Sequence, residues 1–270
     1  MNDGLLKAIE AGVEVYDLAQ PLSAETPHSP NHPPFRMALM RRHGDMVRED
    51  GSSAANELIV TSGHTGTHVD ALAHVSYRGE LHGGVQADEA QRGGRFSKLG
   101  IDGMEPMVCR GVFLDVAALR GTDVLPGGYG ITQEDLAGAA REAGVEVRAG
   151  DVALVHSGWG RNFGNTEAFL GHETGAPGPT EEAARWLADR GVRATGGETI
   201  AYEQIKPEVG HALLPVHRLL LVEYGVHIIE VMDLSELAAR GVNEFLFVLA
   251  PLKIVGGTGS PVRPLAVAQR

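Results

Sequence analysis

The chain has 270 residues, of which 43% are hydrophobic and 21% are charged, and 35 acidic residues against 23 lysines and arginines give a formal net charge of −12. This excess of negative charge opposes binding to nucleic acid or to an anionic membrane surface. The single cysteine, Cys109, excludes an internal disulfide and fits a reducing compartment. Its apolar neighbours predict a buried thiol without a catalytic role.

Neither end of the sequence has the features of a secretory signal or a membrane anchor. Residues 1–10 include an acidic residue near the start and no long apolar core. The apolar run at 245–251 is too short to span a bilayer. We therefore expect a cytoplasmic protein. No repeat or low-complexity linker divides the sequence, so one domain over residues 1–270 is the simplest organisation.

The first third of the chain predicts two strands joined by an irregular arm. Val13–Leu18 has the pattern of a short strand, whereas four prolines in residues 26–34 exclude a helix and stiffen the chain. We expect the arm's histidines, His28 and His32, to be loop residues rather than metal ligands, with a substrate contact open to them. Leu58–Val60 then predicts a strand, which places the following segment at a strand end, where active-site residues commonly lie.

Residues 62–74 put three histidines and one carboxylate into a short segment broken by glycines. Imidazole nitrogen and carboxylate oxygen together bind borderline divalent cations such as zinc, and a catalytic site keeps a position open for water. The alternative is a surface helix with histidines on one face, but the glycines and β-branched residues of the first half oppose it. Within residues 62–74, a helix can begin only near Asp70. The segment predicts three metal ligands and one spare imidazole among His64, His68, Asp70 and His74.

The rest of the chain predicts alternating strands and helices. The glycine-rich residues 76–103 have the length of a lid or pocket wall, and His82 within them is expected to face solvent. Helices are predicted over 132–144 and 180–190, with Thr132 and Thr180 as N-caps. The fold class is therefore α/β, a single domain with these helices flanking a mixed β-sheet, whose strands lie near Val13, Leu58, Val112, Val152, Ile228 and Phe245.

Two later segments also carry ligand-type side chains on apolar stretches, with His217 in the first and His227 beside Glu230 in the second. A buried, unpaired carboxylate is costly, so Glu230 requires either a metal ion or a cationic side chain. Arg218 and Lys253 are the cationic alternatives, and the metal is the favoured partner.

The segment from His64 to His74 resembles the signature His-x-Gly-Thr-His-x-Asp-x-x-x-His of the cyclase-like metal-dependent hydrolases, which include bacterial kynurenine formamidase and isatin hydrolase. Every fixed position of the signature is present, and the resemblance extends from Tyr16 to Arg263. It implies a β/β/α layout, a homodimer or larger assembly, a divalent metal cofactor (Mn²⁺ or Zn²⁺) and a small-molecule substrate opened by metal-activated water.

The resemblance also implies roles for individual residues. His74, not needed as a ligand, is expected to accept the proton of the attacking water. In the formamidase branch the residues matching His217 and Glu230 bind a second ion, bridged by Asp70, whereas isatin hydrolase-like members look mononuclear, with manganese. His217 is a ligand in either scheme, and His227 competes with Glu230.

Three further residues are expected near the substrate by resemblance: Ser157 and Trp159 at the end of one strand, and Glu198 in place of the family's acidic turn residue. Ser157 does not lie in the Gly-x-Ser-x-Gly pattern of a serine nucleophile. Opening of a cyclic amide such as isatin is the first hypothesis, with an arylformamide (N-formylkynurenine) or a lactone as the alternative. A metal-dependent dehydratase or cyclase and an inactive metal-binding scaffold are the non-hydrolytic alternatives. His211 and Glu198 are the reserve candidates for the base.

Overall fold

A nine-stranded mixed sheet is the main element of the computed structural model, which describes residues 4–207 and 209–269. Its strands, numbered in chain order, are β1 (Val13–Asp17), β2 (His68–Asp70), β3 (Met107–Asp115), β4 (Val152–His156), β5 (Ala194–Gly197), β6 (His227–Glu230), β7 (Glu244–Leu249), β8 (Gly259–Pro261) and β9 (Leu265–Gln269). They lie in the order β1-β9-β7-β3-β4-β5-β6-β2-β8. The central strands β3 to β6 run parallel, and antiparallel strands flank them on both sides.

Helices of very different lengths connect the strands. They are α1 (Gly4–Glu10), α2 (Ala87–Ala90), α3 (Val116–Leu119), α4 (Gln133–Ala143), α5 (Thr166–Leu170), α6 (Glu181–Asp189), α7 (Pro215–His217), which continues as a π-helix over Arg218–Tyr224, and α8 (Ser235–Arg240). Within the described part of the chain, none of them has the length and apolarity needed to cross a membrane.

Both predicted helices form with the predicted caps. The Thr132 side chain accepts a hydrogen bond from the Asp135 amide, and the Asp135 side chain accepts one from the Thr132 amide, which is a capping box. Gly144 ends α4 with a φ of 66°, a left-handed conformation that glycine adopts without strain. The Thr180 hydroxyl accepts a hydrogen bond from the Ala183 amide at 3.3 Å and starts α6.

The sheet separates two apolar cores. In β3, Val112 and Leu114 lie in the core that α4 and α6 cover, whereas Phe113 lies in the core on the other face. This follows from the two-residue side-chain alternation of a strand. Leu136 of α4 and Leu187 of α6 are fully buried in the first core. The predicted α/β domain with a mixed sheet and flanking helices is confirmed.

The strand predicted at Leu58 forms, but the prediction that it belongs to the large sheet was wrong. Asn56–Val60 pairs only with Arg36–Arg41, in a separate two-stranded hairpin among the described residues. The side chains of Leu58, Ile59 and Val60 are 52–53% exposed. A short apolar run indicates a strand, but it does not identify the pairing partner or guarantee burial.

The structure also differs from the predictions for His82 and Cys109. The Nδ1 atom of His82 lies 2.9 Å from the main-chain oxygen of Val222, so this imidazole links the loop to the π-helix instead of facing solvent. Cys109 is half-buried rather than fully buried. The loop that contains His82 is not structureless, because it includes α2 and two short hairpins.

Candidate active site

The histidine-rich segment enters the sheet as β2, between β6 and β8. Its register pairs His68 with Glu230 and Asp70 with Gly259. Since side chains alternate along a strand, His68 and Asp70 project from one face, while Val69 is buried in the apolar core on the other. Strand pairing therefore brings two ligand-type side chains of the segment together with a carboxylate of the neighbouring strand.

The helix that was predicted to begin at the motif carboxylate does not form. The amides of Ala71 and Ala73 donate hydrogen bonds to the carbonyl oxygens of Thr258 (2.9 Å) and Leu99 (3.1 Å). Bonds to these distant segments replace the i to i−4 bonds of a helix. His74 consequently reaches the cluster from a tight turn, in which its amide donates to the Ala71 carbonyl oxygen at 2.9 Å.

Five ligand-type side chains converge at this point. His64 Nδ1 lies 2.8 Å from Asp70 Oδ1. His68 Nε2 lies 3.6 Å from Asp70 Oδ1 and 3.2 Å from Glu230 Oε2. His217 Nε2 lies 3.7 Å from Asp70 Oδ2 and 3.2 Å from Glu230 Oε1. All five residues are at most 6% exposed, so the cluster is shielded from bulk water.

One buried carboxylate oxygen of the cluster, Asp70 Oδ2, has no hydrogen-bond partner among the described residues, and Glu230 Oε1 has only the contact with His217 Nε2 at 3.2 Å. Leaving a buried charged oxygen unpaired costs several kcal/mol, on the order of 3–5, and a divalent cation would supply the missing partner. His68, Asp70 and Glu230 can each place one ligand atom within 4.8 Å of the others. Nitrogen and oxygen donors in this combination fit a borderline divalent metal ion.

Neighbouring imidazoles keep both carboxylates ionised in spite of their burial. Burial opposes ionisation of Asp70, but the neighbouring His74 and His64 imidazoles outweigh it and hold the pKa of Asp70 below its ordinary value. Burial likewise opposes ionisation of Glu230, and His217 outweighs it, so the pKa of Glu230 is also lowered. The site therefore presents two anionic carboxylates, and in spite of burial the neighbouring carboxylates hold the pKa values of His68 and His217 above the ordinary value of an imidazole.

His74 lies beside the ligands rather than apart from them. Its ring stacks on that of His64, with centroids 3.9 Å apart and an interplanar angle of 27°. Burial lowers the pKa of His74 to about 4, so the imidazole is neutral at neutral pH. His64, Asp70 and His74 also form a trio with ligand atoms within 4.8 Å. A neutral imidazole in this position can accept a proton or bind an ion, and its role as the base stays a prediction.

A small cavity of about 90 Å³ opens beside the cluster. His32, from the proline-rich arm, reaches it and stacks on His64 with ring centroids 5.1 Å apart. The arm is held against the motif because the Thr65 hydroxyl donates a hydrogen bond to the Pro33 carbonyl oxygen at 2.9 Å. Besides the cluster and His74, the cavity is lined by Ser29, Asn31, His32, Ile200, Ala201, His211 and Leu214.

Residues 16–204 match the Cyclase family, described as "Putative cyclase". The chain belongs to the cyclase-like metal-dependent hydrolase family. The resemblance carried by the His64–His74 signature is thereby confirmed.

Individual relatives of this cyclase-family chain include hydrolases. Isatin hydrolase from Roseibium aggregatum is 26% identical over 271 residues, covering 98% of this chain and 95% of that protein. The crystal structure of a novel cyclase superposes with a TM-score of 0.85 at 26% identity, covering 98% of this chain and 93% of the other. Isatin hydrolase A from Ralstonia solanacearum gives a TM-score of 0.74 at 26% identity, with coverages of 98% and 96%. The relatives support a hydrolase.

A buried residue that the sequence analysis missed, Glu203, lies behind His217 of the cluster. Its Oε1 atom accepts a hydrogen bond from the His217 amide at 2.9 Å and lies 2.7 Å from His217 Nδ1, and its Oε2 atom accepts one from the Val216 amide at 3.1 Å. A carboxylate on one ring nitrogen fixes the tautomer and turns the other nitrogen towards a metal. In the sequence, the only signal for Glu203 was an acidic residue in the stretch between the apolar residues Tyr202 and Ile205.

Glu203→Gln is expected to weaken divalent metal binding about 10–100-fold, because the amide side chain no longer holds His217 as a carboxylate does. Calorimetric titration of the chelator-treated protein with Mn²⁺ measures the change. Glu181→Gln is the control, since Glu181 is a partly exposed residue whose ion pair with Arg218 lies outside the cluster. Equal affinities in both variants would contradict the role given to Glu203.

The three residues expected near the substrate do not line the histidine cavity. The Ser157 amide and hydroxyl donate to Glu198 Oε2 at 2.8 and 3.0 Å, and Trp159 Nε1 donates to the Phe169 carbonyl oxygen at 2.9 Å. Glu198 instead lines a separate, larger cavity of about 770 Å³ together with His156. None of the three side chains is in the lining of the histidine cavity, so their substrate contact stays a prediction.

Two alternatives concerning Glu230 remain, namely His227 as a competing ligand and a cationic side chain as the partner of Glu230. His227 Nδ1 lies 2.8 Å from the main-chain oxygen of Asp70, so this imidazole supports the motif backbone and does not replace Glu230 in the cluster. Neither Arg218 nor Lys253 forms an ion pair with Glu230 among the described residues, and Arg218 instead contacts Glu181 at 2.8 Å and Glu223 at 3.0 Å. The neighbours of the Glu230 carboxylate are the imidazoles of His68 and His217, each at 3.2 Å.

Proposed function

We propose that this protein is a metal-dependent amide hydrolase that opens a small, uncharged cyclic amide such as isatin, with Mn²⁺ or Zn²⁺ as its cofactor. The observation that carries the proposal is the pair of buried carboxylates, Asp70 and Glu230, among imidazoles, with Asp70 Oδ2 left without a hydrogen-bond partner among the described residues. A bound divalent ion lowers the pKa of its water from about 15.7 towards about 7 and polarises the carbonyl group under attack.

The proposed role of each residue follows from its position. The ligands are His64, His68, Asp70, His217 and Glu230. His74 takes a proton from the attacking water as the new C–O bond forms, and delivers that proton to the leaving nitrogen as the C–N bond then breaks. Its neutral ring, which burial favours, is the form able to accept that proton. The buried surroundings exclude other water from the reaction.

The charge of the cavity favours an uncharged substrate. No lysine or arginine lines the cavity within the described part of the chain. A substrate carboxylate would therefore lose its hydration without gaining a counter-charge from a side chain. This supports a neutral lactam over N-formylkynurenine, which carries both a carboxylate and an ammonium group. Isatin hydrolase among the relatives supports the same choice.

Turnover assays before and after metal removal test the proposal. We expect hydrolysis of isatin to disappear on treatment with a chelator and to return with Mn²⁺ or Zn²⁺. In heavy-oxygen water, the product should contain one solvent oxygen atom. Turnover without oxygen incorporation would indicate a dehydratase or cyclase. Preferred turnover of N-formylkynurenine or a lactone would replace the substrate class, and binding of metal without any turnover would indicate an inactive scaffold.

A further inference from the structure

The three histidines among the proposed ligands do not present the same ring nitrogen to the cluster. His68 Nδ1 lies 2.8 Å from a main-chain oxygen and His217 Nδ1 lies 2.7 Å from Glu203 Oε1, so each ring directs Nε2 towards the carboxylates. His64 is reversed, because its Nδ1 atom lies 2.8 Å from Asp70 Oδ1. The Nε2 atom of His64 therefore needs a partner of its own outside the cluster.

Thr258 supplies this partner from the C-terminal part of the chain. Its hydroxyl oxygen lies 2.9 Å from His64 Nε2, although the two residues are 194 positions apart in sequence. A hydroxyl group can either donate or accept a hydrogen bond. With a metal ion on the Nδ1 side of His64, the ring proton must be on Nε2, and the Thr258 oxygen is in position to accept it.

Strand pairing fixes Thr258 relative to the histidine-rich segment. Gly259, the first residue of β8, is the register partner of Asp70. The Thr258 carbonyl oxygen accepts a hydrogen bond from the Ala71 amide at 2.9 Å. Because the backbone of Thr258 is already ordered by these contacts, holding its hydroxyl against the imidazole costs little further conformational entropy.

The ring of His64 also depends on the absence of a side chain at Gly259. A Cβ atom at this position would lie 2.5 Å from His64 Cε1 and 3.0 Å from both ring nitrogens, which is closer than van der Waals contact permits. The same ring stacks on that of His74, with centroids 3.9 Å apart. The imidazole of His64 is therefore closely surrounded, and its Nε2 atom has a fixed orientation towards Thr258.

We propose that Thr258 is a positioning residue, which holds the Nε2 proton of His64 so that Nδ1 is the nitrogen that binds the metal ion. This inference rests on the proposed metal cluster. Thr258 acts through His64, as Glu203 acts through His217, and has no contact with the substrate in this role. Without the hydroxyl, the Nε2–H group of the metal-bound ring loses its acceptor, so metal binding is weakened.

Thr258→Val tests the proposal, because valine has nearly the shape of threonine and lacks the hydroxyl. Its dissociation constant for Zn²⁺, measured by calorimetric titration of the chelator-treated protein, is expected to be about 10–100-fold higher than that of the wild type. Thr258→Ser keeps the hydroxyl and should stay within about threefold of the wild type. Thr122→Val is the matched control, since Thr122 is also half-buried and its hydroxyl donates to the Val124 carbonyl oxygen at the same distance of 2.9 Å, outside the cluster.

Nuclear magnetic resonance of the ¹⁵N-labelled, Zn²⁺-loaded protein distinguishes this role from a general loss of structure. In the wild type, His64 should have a protonated Nε2 and a metal-bound Nδ1, whereas His68 and His217 should have the opposite arrangement. In Thr258→Val, the Nε2 proton of His64 should exchange faster with water, because its acceptor has been removed. The ring protons of His68 and His217 should keep their wild-type exchange rates.

Three results would each overturn the role of Thr258 and leave the proposed function in place. They are an unchanged Zn²⁺ affinity in Thr258→Val, an equal loss of affinity in Thr258→Ser or Thr122→Val, and a protonated Nδ1 on His64 in the Zn²⁺-loaded wild type. If the wild-type protein binds neither Zn²⁺ nor Mn²⁺, the proposed metal-dependent function is overturned, and this inference with it.

Discussion

Asp70→Ala is expected to abolish stoichiometric metal binding and to lower the hydrolysis rate about 10³-fold or more, since the ion contributes several kcal/mol to the reaction. Asp70 is the residue common to both trios of ligand-type side chains, and one of its oxygens is buried without a partner. Metal analysis by mass spectrometry and kcat/KM for isatin measure the two effects. Added Mn²⁺ at 100 times Kd should stabilise the wild-type protein by about 2.7 kcal/mol and leave the variant unchanged.

Asp115→Ala is the matched control for this variant. Asp115 Oδ1 lies 2.8 Å from His156 Nδ1, the same distance that separates Asp70 Oδ1 from His64 Nδ1. Asp115 also caps α3, so its removal should cost about 1 kcal/mol of stability. Metal content should nevertheless stay at the wild-type level. Full metal occupancy in Asp70→Ala would contradict the assignment of the cluster as a metal site.

The parts of the fold that the sequence predicted are those with a local cause. Thr132 and Thr180 each have a hydroxyl that can cap a helix, and the structure uses both. The metal-ligand pattern was also visible locally, because His68 and Asp70 are two residues apart and a strand places such residues on one face. The signature that includes them carried the family resemblance, which the match to the Cyclase family confirms.

The parts that the sequence did not predict depend on contacts between distant segments. Leu58 has a strand pattern, but its pairing with the residue 36–41 strand rather than with the large sheet is a tertiary choice. His74 was expected on a helix, and hydrogen bonds from its neighbours to Leu99 and Thr258 hold it in a turn instead. Glu203 lies 14 residues before His217 in sequence, and no local pattern connects them.

Contacts between distant segments also determine where the residues expected near the substrate lie. The family resemblance located the strand ends that carry Ser157 and Glu198. It could not show that the Ser157 hydroxyl donates a hydrogen bond to Glu198 and that Glu198 lines a different cavity. Conversely, His32 lies on an irregular arm whose course depends on Thr65, so its approach to the site was open as a possibility and could not be derived.

His74→Ala is expected to keep the bound metal while lowering kcat about 10²–10⁴-fold, the usual contribution of a positioned general base. The wild-type rate should lose its His74-dependent part as the pH approaches about 4, because burial lowers the pKa of His74 to about 4 and the protonated ring cannot accept a proton. This acid limb should disappear in the variant. Measurements of kcat against pH, with added imidazole as a rescue agent for the missing ring, test both statements.

The variant also distinguishes the two roles that the position of His74 allows. A limb near about pH 7 that persists in His74→Ala belongs to the attacking water rather than to this imidazole. If His74→Ala loses metal as Asp70→Ala does, His74 is a ligand, as its trio with His64 and Asp70 permits. The base would then be sought at His211, which lines the cavity, or at the other reserve candidate, Glu198, which lines the larger cavity.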